Sequence, residues 1–218
     1  MTQHLKIDFV SDVSCPWCAI GLYALKQAVA NLGDQVAVDL HFQPFELNPN
    51  MPPEGQDITE HIVQKYGSSP QQLAQTREAI RARGAEVGFT FDMGLRGRIY
   101  NTFDAHRLLH WAELEGRQLE LKQALFKAYF TDGKNPGDHA VLTAAAGAAG
   151  LDVARAAEIL ASGEFAAEVR AQEAFYQDAG IHAVPAVIVN DRHLIQGGQP
   201  VEAFEQALRK IAAQTQPA

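Results

Sequence analysis

Cys15-Pro16-Trp17-Cys18 lies where an apolar strand gives way to a helix, and that junction restricts the available folds more than any other feature. Leu5–Val10 is a short, half-alternating apolar run, and Ser11, Asp12, Val13 and Ser14 form a loop. From Pro16 onward Leu22, Leu25, Val29 and Leu32 share one helical face before Gly33. Pro16 suits the first helical turn, where its missing N–H costs nothing. Cys15 therefore falls at or next to the N-cap, under free N–H groups and the positive end of the helix dipole. The thiolate is the reactive form of cysteine, and such a position lowers a thiol pKa from about 8.5 to roughly 3.5–7.5.

These are the chain's only two cysteines, and three uses compete for them. A zinc site lacks partners, since there is no second Cys-x-x-Cys and the eight histidines show no finger-like spacing. A structural disulfide across two intervening residues closes a very small loop and stabilises little. A redox or nucleophilic site is the strongest reading, because the motif coincides with a strand-to-helix turn in a β-α-β pattern.

With 218 residues, the chain is long enough for a substantial core, and 47% hydrophobic with 20% charged residues is ordinary for a soluble globular protein. A net charge of −8 argues against a general nucleic-acid partner. No run approaches membrane-span length. Met1-Thr2-Gln3-His4 leads straight into the first strand without the features of a secretory leader, so a cytoplasmic location is expected. There a disulfide is usually transient and catalytic, or redox-sensing.

Val36–Phe42 alternates and forms a second strand, parallel to the first through the intervening helix. Pro44–Gly55, rich in proline, is expected to be irregular. A helical stretch follows, and Ser69-Pro70-Gln71-Gln72 has the form of a capping box opening a helix to about Val87. Asn101–Glu115, Gln118–Phe130, Asp138–Ala149, Asp152–Ala161 and Glu164–Ala179 are predicted helices, several with a capping residue at the start and a glycine at the end. Strand character returns at Ala186–Val189 and His193–Gln196, joined by a turn at Asn190-Asp191, and Val201–Ala213 is an amphipathic last helix. A frayed tail is expected over Gln214–Ala218. The order is β-α-β, a helical block, then β-β-α. This predicts an α/β unit from residues 1–57 and 179–218, carrying a large all-helical insertion at 58–178.

Strand–CPWC–helix, a helical insertion, and Ala183-Val184-Pro185-Ala186-Val187-Ile188-Val189 together resemble the thioredoxin-like fold of the DsbA family. Phe45-Glu46-Leu47-Asn48-Pro49-Asn50-Met51-Pro52-Pro53-Glu54-Gly55, Asn101-Thr102-Phe103-Asp104-Ala105-His106-Arg107-Leu108 and Ala128-Tyr129-Phe130 are similar to its cytosolic FrnE-like branch. The resemblance implies a protein disulfide oxidoreductase or isomerase in which Cys15 attacks and Cys18 resolves mixed disulfides. Pro16 and Trp17 would tune the pair. It also implies a cis Val184-Pro185 bond facing the cysteines, with the Val184 backbone offered to an extended substrate. Implied partners are protein or small-molecule thiols and disulfides. No tightly bound cofactor is implied, although glutathione is a candidate redox partner. Kappa-class glutathione transferases and 2-hydroxychromene-2-carboxylate isomerases share the fold and insertion but typically carry serine where Cys15 stands. A glutathione-dependent isomerase or transferase is therefore the alternative, and a non-catalytic binding protein a third.

Other residues carry weaker signals. Asp12 is a proton-acceptor or cap candidate, although a solvated loop carboxylate is the default. His106 and His110 share a helix face but lack the glutamate of a metalloprotease motif, so no metal is expected there. His182 is close enough to Pro185 to contribute to the site, and Asn48 is a candidate for lining the cleft. Trp111, Phe126, Tyr129 and Phe130 have the spacing of core residues.

Overall fold

The first strand, β1 (Gln3–Ser11), alternates between buried and exposed only to Ile7, after which every residue to Ser11 is buried. A central strand covered on both faces has this pattern. The computed structural model describes residues 2–214, and among these four strands form one sheet in the order β2-β1-β5-β6. Helix α1 (Pro16–Leu32) is the crossover to β2 (Val36–Pro44), which pairs parallel to β1 from Gln3↔Val36 to Ser11↔Pro44. Pro44 closes β2 rather than opening the loop, a position an edge strand tolerates. β5 (Ala186–Val189) runs antiparallel to β1, with Val10 opposite Ala186, and β6 (His193–Gln196) returns beside it. Asn190 and Asp191 turn that hairpin, both in the left-handed region at φ 53° and 55°, a conformation these residue types tolerate. The antiparallel pairing puts the start of β5 beside the end of β1, next to the cysteines.

Between β2 and β5 the chain is mostly helical. α2 (Ile58–Tyr66) is capped by Asp57, and α3 (Pro70–Glu86) by the reciprocal Ser69–Gln72 box. Then come α4 (Phe103–Leu114), α5 (Gln118–Phe126), α6 (His139–Ala148), α7 (Val153–Ala161) and α8 (Ala166–Asp178), with α9 (Val201–Gln214) after the sheet. Gln214 ends α9, and the rest of the expected frayed tail lies outside the described residues.

Two local features depart from the sequence reading. The helix expected over Gln118–Phe130 stops at Phe126 and continues as a π-turn, Lys127–Thr131, in which Ala128, Tyr129 and Phe130 are all buried. The wider turn lets three consecutive side chains face the interior. A ribbon too short to leave a periodic signal pairs β3 (Gln56–Asp57) with β4 (Arg98–Ile99). Gly55 precedes it at φ 68°, where a Cβ would sit 2.3 Å from the Ile99 carbonyl oxygen, so only glycine fits.

The core ignores the order of the chain. Leu5, Phe9, Cys18, Leu22 and Val187 belong to one buried cluster with Ile80, Phe89, Phe91, Phe126, Tyr129 and Phe130. A ring-centroid distance of 4.9 Å for Tyr23–Phe89 marks the seam between α1 and the helical block, and Phe91–Phe130 at 5.1 Å packs within the block. Trp111 packs in a second cluster built from α4 to α7.

Candidate active site

Cys15 is the N-cap of α1 (φ −89°, ψ 114°), with Pro16 in the first helical position. Its carbonyl accepts from Cys18 N at 3.1 Å and Ala19 N at 3.3 Å, while its own N–H donates to Asp12 O at 3.2 Å. Its Sγ lies 3.8 Å from the Val184 carbonyl oxygen. The Val184-Pro185 bond is cis, the isomer the resemblance implies. Across the start of α1, Gly198 comes so close that a Cβ would stand 2.8 Å from the Trp17 carbonyl oxygen.

The two sulfurs differ in environment. A hydrogen bond from the Cys18 thiol, aided by the Cys18 and Trp17 amides, holds the Cys15 pKa below the ordinary thiol value. Burial and the nearby Asp12 charge act against this. Burial pushes the Cys18 thiol well up, and the Cys15 thiolate adds to the rise. Cys18 is 0% exposed and Cys15 only 4%. Cys15 is thus not on the open surface: its sulfur is reached through a cavity of about 740 Å3. Cys15, Pro16 and Trp17 form one side of that cavity, with Asn48, His182 and Val184 beside them. The far wall is α2 and α3, from Ile58 to Ile80. Asn48 accepts from Lys65 Nζ at 2.8 Å, and His182 is exposed on the rim.

Asp12 is not the solvated carboxylate expected. It is fully buried, accepts from Ser14 N at 3.0 Å and from Leu47 N at 2.7 Å, and lies 3.8 Å from His106 Nε2. Burial alone would raise its pKa. The His106 ring and the two amides outweigh burial and hold the carboxyl below its usual range. The carboxylate thus ties the Cys15 loop to the Asn48 loop. A depressed carboxyl pKa stabilises the fold above its unfolded value, near pH 4, and that stability disappears as pH falls through the folded value. Asp12→Asn is expected to cost about 1–3 kcal/mol at pH 7, with the gap narrowing below about pH 4. Urea denaturation across that range checks it; a gap that stays constant down to pH 3 would show that the charge contributes nothing.

His106 faces Asp12, while His110 stacks near Phe165 at 5.1 Å. Among the described residues no group of three or more His, Cys, Asp or Glu side chains is placed to hold a metal ion. Two residues near the cysteines escaped the sequence reading. Lys122 on α5 is 0% exposed, its Nζ has no hydrogen-bond partner among the described residues, and it lies over Phe126 at 5.2 Å and Phe42 at 5.8 Å. Gln118, Lys122 and Phe126 recur at four-residue intervals, so the buried aromatic marked its face. Arg96, in the loop before β4, is 8% exposed, donates from Nη2 to Ser14 O at 3.3 Å, and lines the cavity. No periodic signal marks it.

The model of the DSBA-like thioredoxin domain family matches residues 6–209. The chain belongs to that family. Among solved structures of DsbA type, a probable DsbA oxidoreductase, SCO1869 from Streptomyces coelicolor, superposes with a TM-score of 0.91 at 31% identity, over 99% of this chain and 93% of that one. The cytosolic disulfide reductase DsbM from Pseudomonas aeruginosa, solved with GSH, shares the fold at a TM-score of 0.64 and 16% identity, over 95% and 99% of the two chains. An uncharacterized protein, YwbO of Bacillus subtilis (strain 168), is 28% identical over 210 residues, 95% of this chain and 96% of the relative. The DsbA-like fold is that of thiol oxidoreductases, and no helix among the described residues is long and apolar enough to cross a membrane.

Proposed function

We propose that this DsbA-like chain is a thiol–disulfide oxidoreductase of the cytosolic, FrnE-like type, with Cys15 as nucleophile and Cys18 as resolving thiol. The observation that carries the reading is the asymmetry of the pair. Cys15 sits at a helix N-cap on a cavity wall with its pKa lowered, and Cys18 sits fully buried behind it with its pKa raised. The Cys15 thiolate attacks one sulfur of a substrate disulfide, joins to it, and expels the other half as a thiolate. Cys18 then loses its proton, attacks Cys15 Sγ and releases the remaining substrate thiolate, leaving a Cys15–Cys18 disulfide; the reverse sequence oxidises a substrate dithiol. The Val184 carbonyl and Pro185 border the attacking sulfur, while Asn48 and His182 contact the substrate at the cavity. Pro16 and Trp17 set access.

The α/β unit carries the chemistry in this reading, and the helical block 58–178 selects the substrate, because α2 and α3 supply the far wall. Glutathione is proposed as a redox partner rather than a tightly held cofactor, supported by the shared fold with DsbM, solved with GSH. Cysteine at position 15 favours dithiol exchange over glutathione-dependent isomerisation. A decisive test incubates the reduced protein with glutathione disulfide and follows mass. The wild type should end as an intramolecular disulfide and Cys18→Ser as a stable adduct of one glutathione on Cys15. No oxidation by glutathione disulfide, together with no reduction of insulin by the folded protein, would refute the assignment.

A further inference from the structure

Three cations face the cavity that holds Cys15: Lys65 on α2, Arg77 on α3 and Arg96 before β4. Among the described residues none has a carboxylate oxygen within 4 Å, although the chain as a whole carries a net charge of −8. The carboxylate that lines the cavity, Glu46, is already committed to Arg170 and Asn101. Arg96 is the most telling of the three. The residue is more than nine-tenths buried, its guanidinium lies 5.0 Å from the ring centroids of both Tyr129 and Phe130, and its buried Nε has no hydrogen-bond partner among the described residues. Its Nη2 donates to the carbonyl of Ser14, the residue that precedes Cys15. A buried cation that lacks a counter-ion is costly to keep. A cavity lined by one sign of charge raises the local concentration of the opposite sign.

Resting on the oxidoreductase reading, we infer that the cavity selects low-molecular-weight thiols and disulfides that bear a carboxylate, with Arg96 as the residue that anchors the anion beside Cys15. Size favours a small substrate: about 740 Å3 is the volume of a small-ligand site, and Cys15, 4% exposed, is reached through it. Lys65 and Arg77 extend the positive field along the far wall. Lys65 Nζ already donates to Leu47 O and Asn48 Oδ1, and Arg77 Nη2 to Thr59 Oγ1, so these two act through charge more than through free donors. Arg96 is the cation tied directly to the Cys15 loop, through the Ser14 carbonyl.

The test uses three disulfides with the same two-carbon spacer and different end groups: dithiodipropionate (anionic), bis(hydroxyethyl) disulfide (neutral) and cystamine (cationic). Oxidation of the reduced full-length protein is timed by stopped-flow, and each rate is divided by that of the same disulfide with free mercaptoethanol, which removes intrinsic reactivity. The normalised anionic-to-neutral ratio should be about tenfold or more at low salt, as one charge-assisted hydrogen bond provides, and should shrink as salt screens the field. The cationic disulfide should be slowest. Arg96→Gln should collapse the ratio to within about twofold, and Arg96→Lys, which keeps the charge, should hold more of it. If Arg96 serves only to position the Ser14 carbonyl or to lower the Cys15 pKa, all three rates will fall together and the ratio will stand; that result, or a ratio near one in the wild type, overturns the inference. Failure of all three disulfides to react would instead count against the oxidoreductase reading itself.

Discussion

Cys15→Ser is expected to abolish thiol–disulfide exchange, lowering turnover by at least about a thousand-fold, as loss of a covalent nucleophile does in other enzymes. The serine hydroxyl has neither the thiolate's nucleophilicity nor the ability to form a disulfide. The fold should survive, because the side chain accepts no cap bond and the exchange of sulfur for oxygen is small. Cys18→Ser should behave differently, giving attack without release. Insulin reduction and adduct mass, measured on both variants, distinguish the roles. Residual exchange in Cys15→Ser comparable to the wild type would assign the attack to Cys18 and reverse the mechanism.

Lys122→Met should make the protein more stable and its nucleophile weaker. Burial lowers the Lys122 pKa from its ordinary 10.5 to about 8, against the pull of Cys18, Asp12 and Cys15. A lysine whose folded pKa lies below its unfolded one destabilises the fold. The full cost applies below about pH 8 and is relieved as pH rises toward 10.5. Methionine has similar length and suits the aromatic contacts with Phe42 and Phe126. A gain of about 1–3 kcal/mol at pH 7 is expected, closing as pH rises toward 10.5, when urea unfolding is measured on the oxidised protein, whose thiols do not titrate. In the reduced variant the thiolates lose a neighbouring cation, so titration of thiolate absorbance should show the Cys15 pKa rising. His106 and His110 share the small cavity lined by Lys122. A variant less stable than the wild type at pH 7, with an unchanged thiolate, would sink the account.

Such a residue shows what a sequence conveys and what it hides. The β-α-β and β-β-α ends were legible because Leu5, Ile7 and Phe9, then the Leu22–Leu25–Leu32 face, repeat at strand and helix periods over enough residues to be unambiguous. The CPWC junction marked the candidate site, because proline at the first helical turn fixes where the helix begins. Asp12 was misjudged because its partners, the Leu47 amide and the His106 ring, come from distant parts of the chain, and nothing local distinguishes a carboxylate that is met by them from one that is hydrated. Arg96 was silent for the same reason. Its surroundings, Ser14, Tyr129 and Phe130, assemble only in the tertiary structure. The π-turn at Lys127–Thr131 was hidden because one inserted residue disturbs a helical period too little to register.

The far wall of the cavity is its least anchored part. α2 buries only Ile58 of its nine residues, and α3 buries Leu73, Ile80 and Gly84 of seventeen, whereas α1 opposite them buries nine of seventeen. Segments with so few interior contacts open at a small fraction of the global unfolding cost. The thiolate is therefore guarded by a breathing wall. Peroxides and other small oxidants enter by the same cavity as a small disulfide, and a wall anchored so weakly gives way first to bulkier ones, so the size of the oxidant that damages the sulfur should grow as α2 and α3 are loosened.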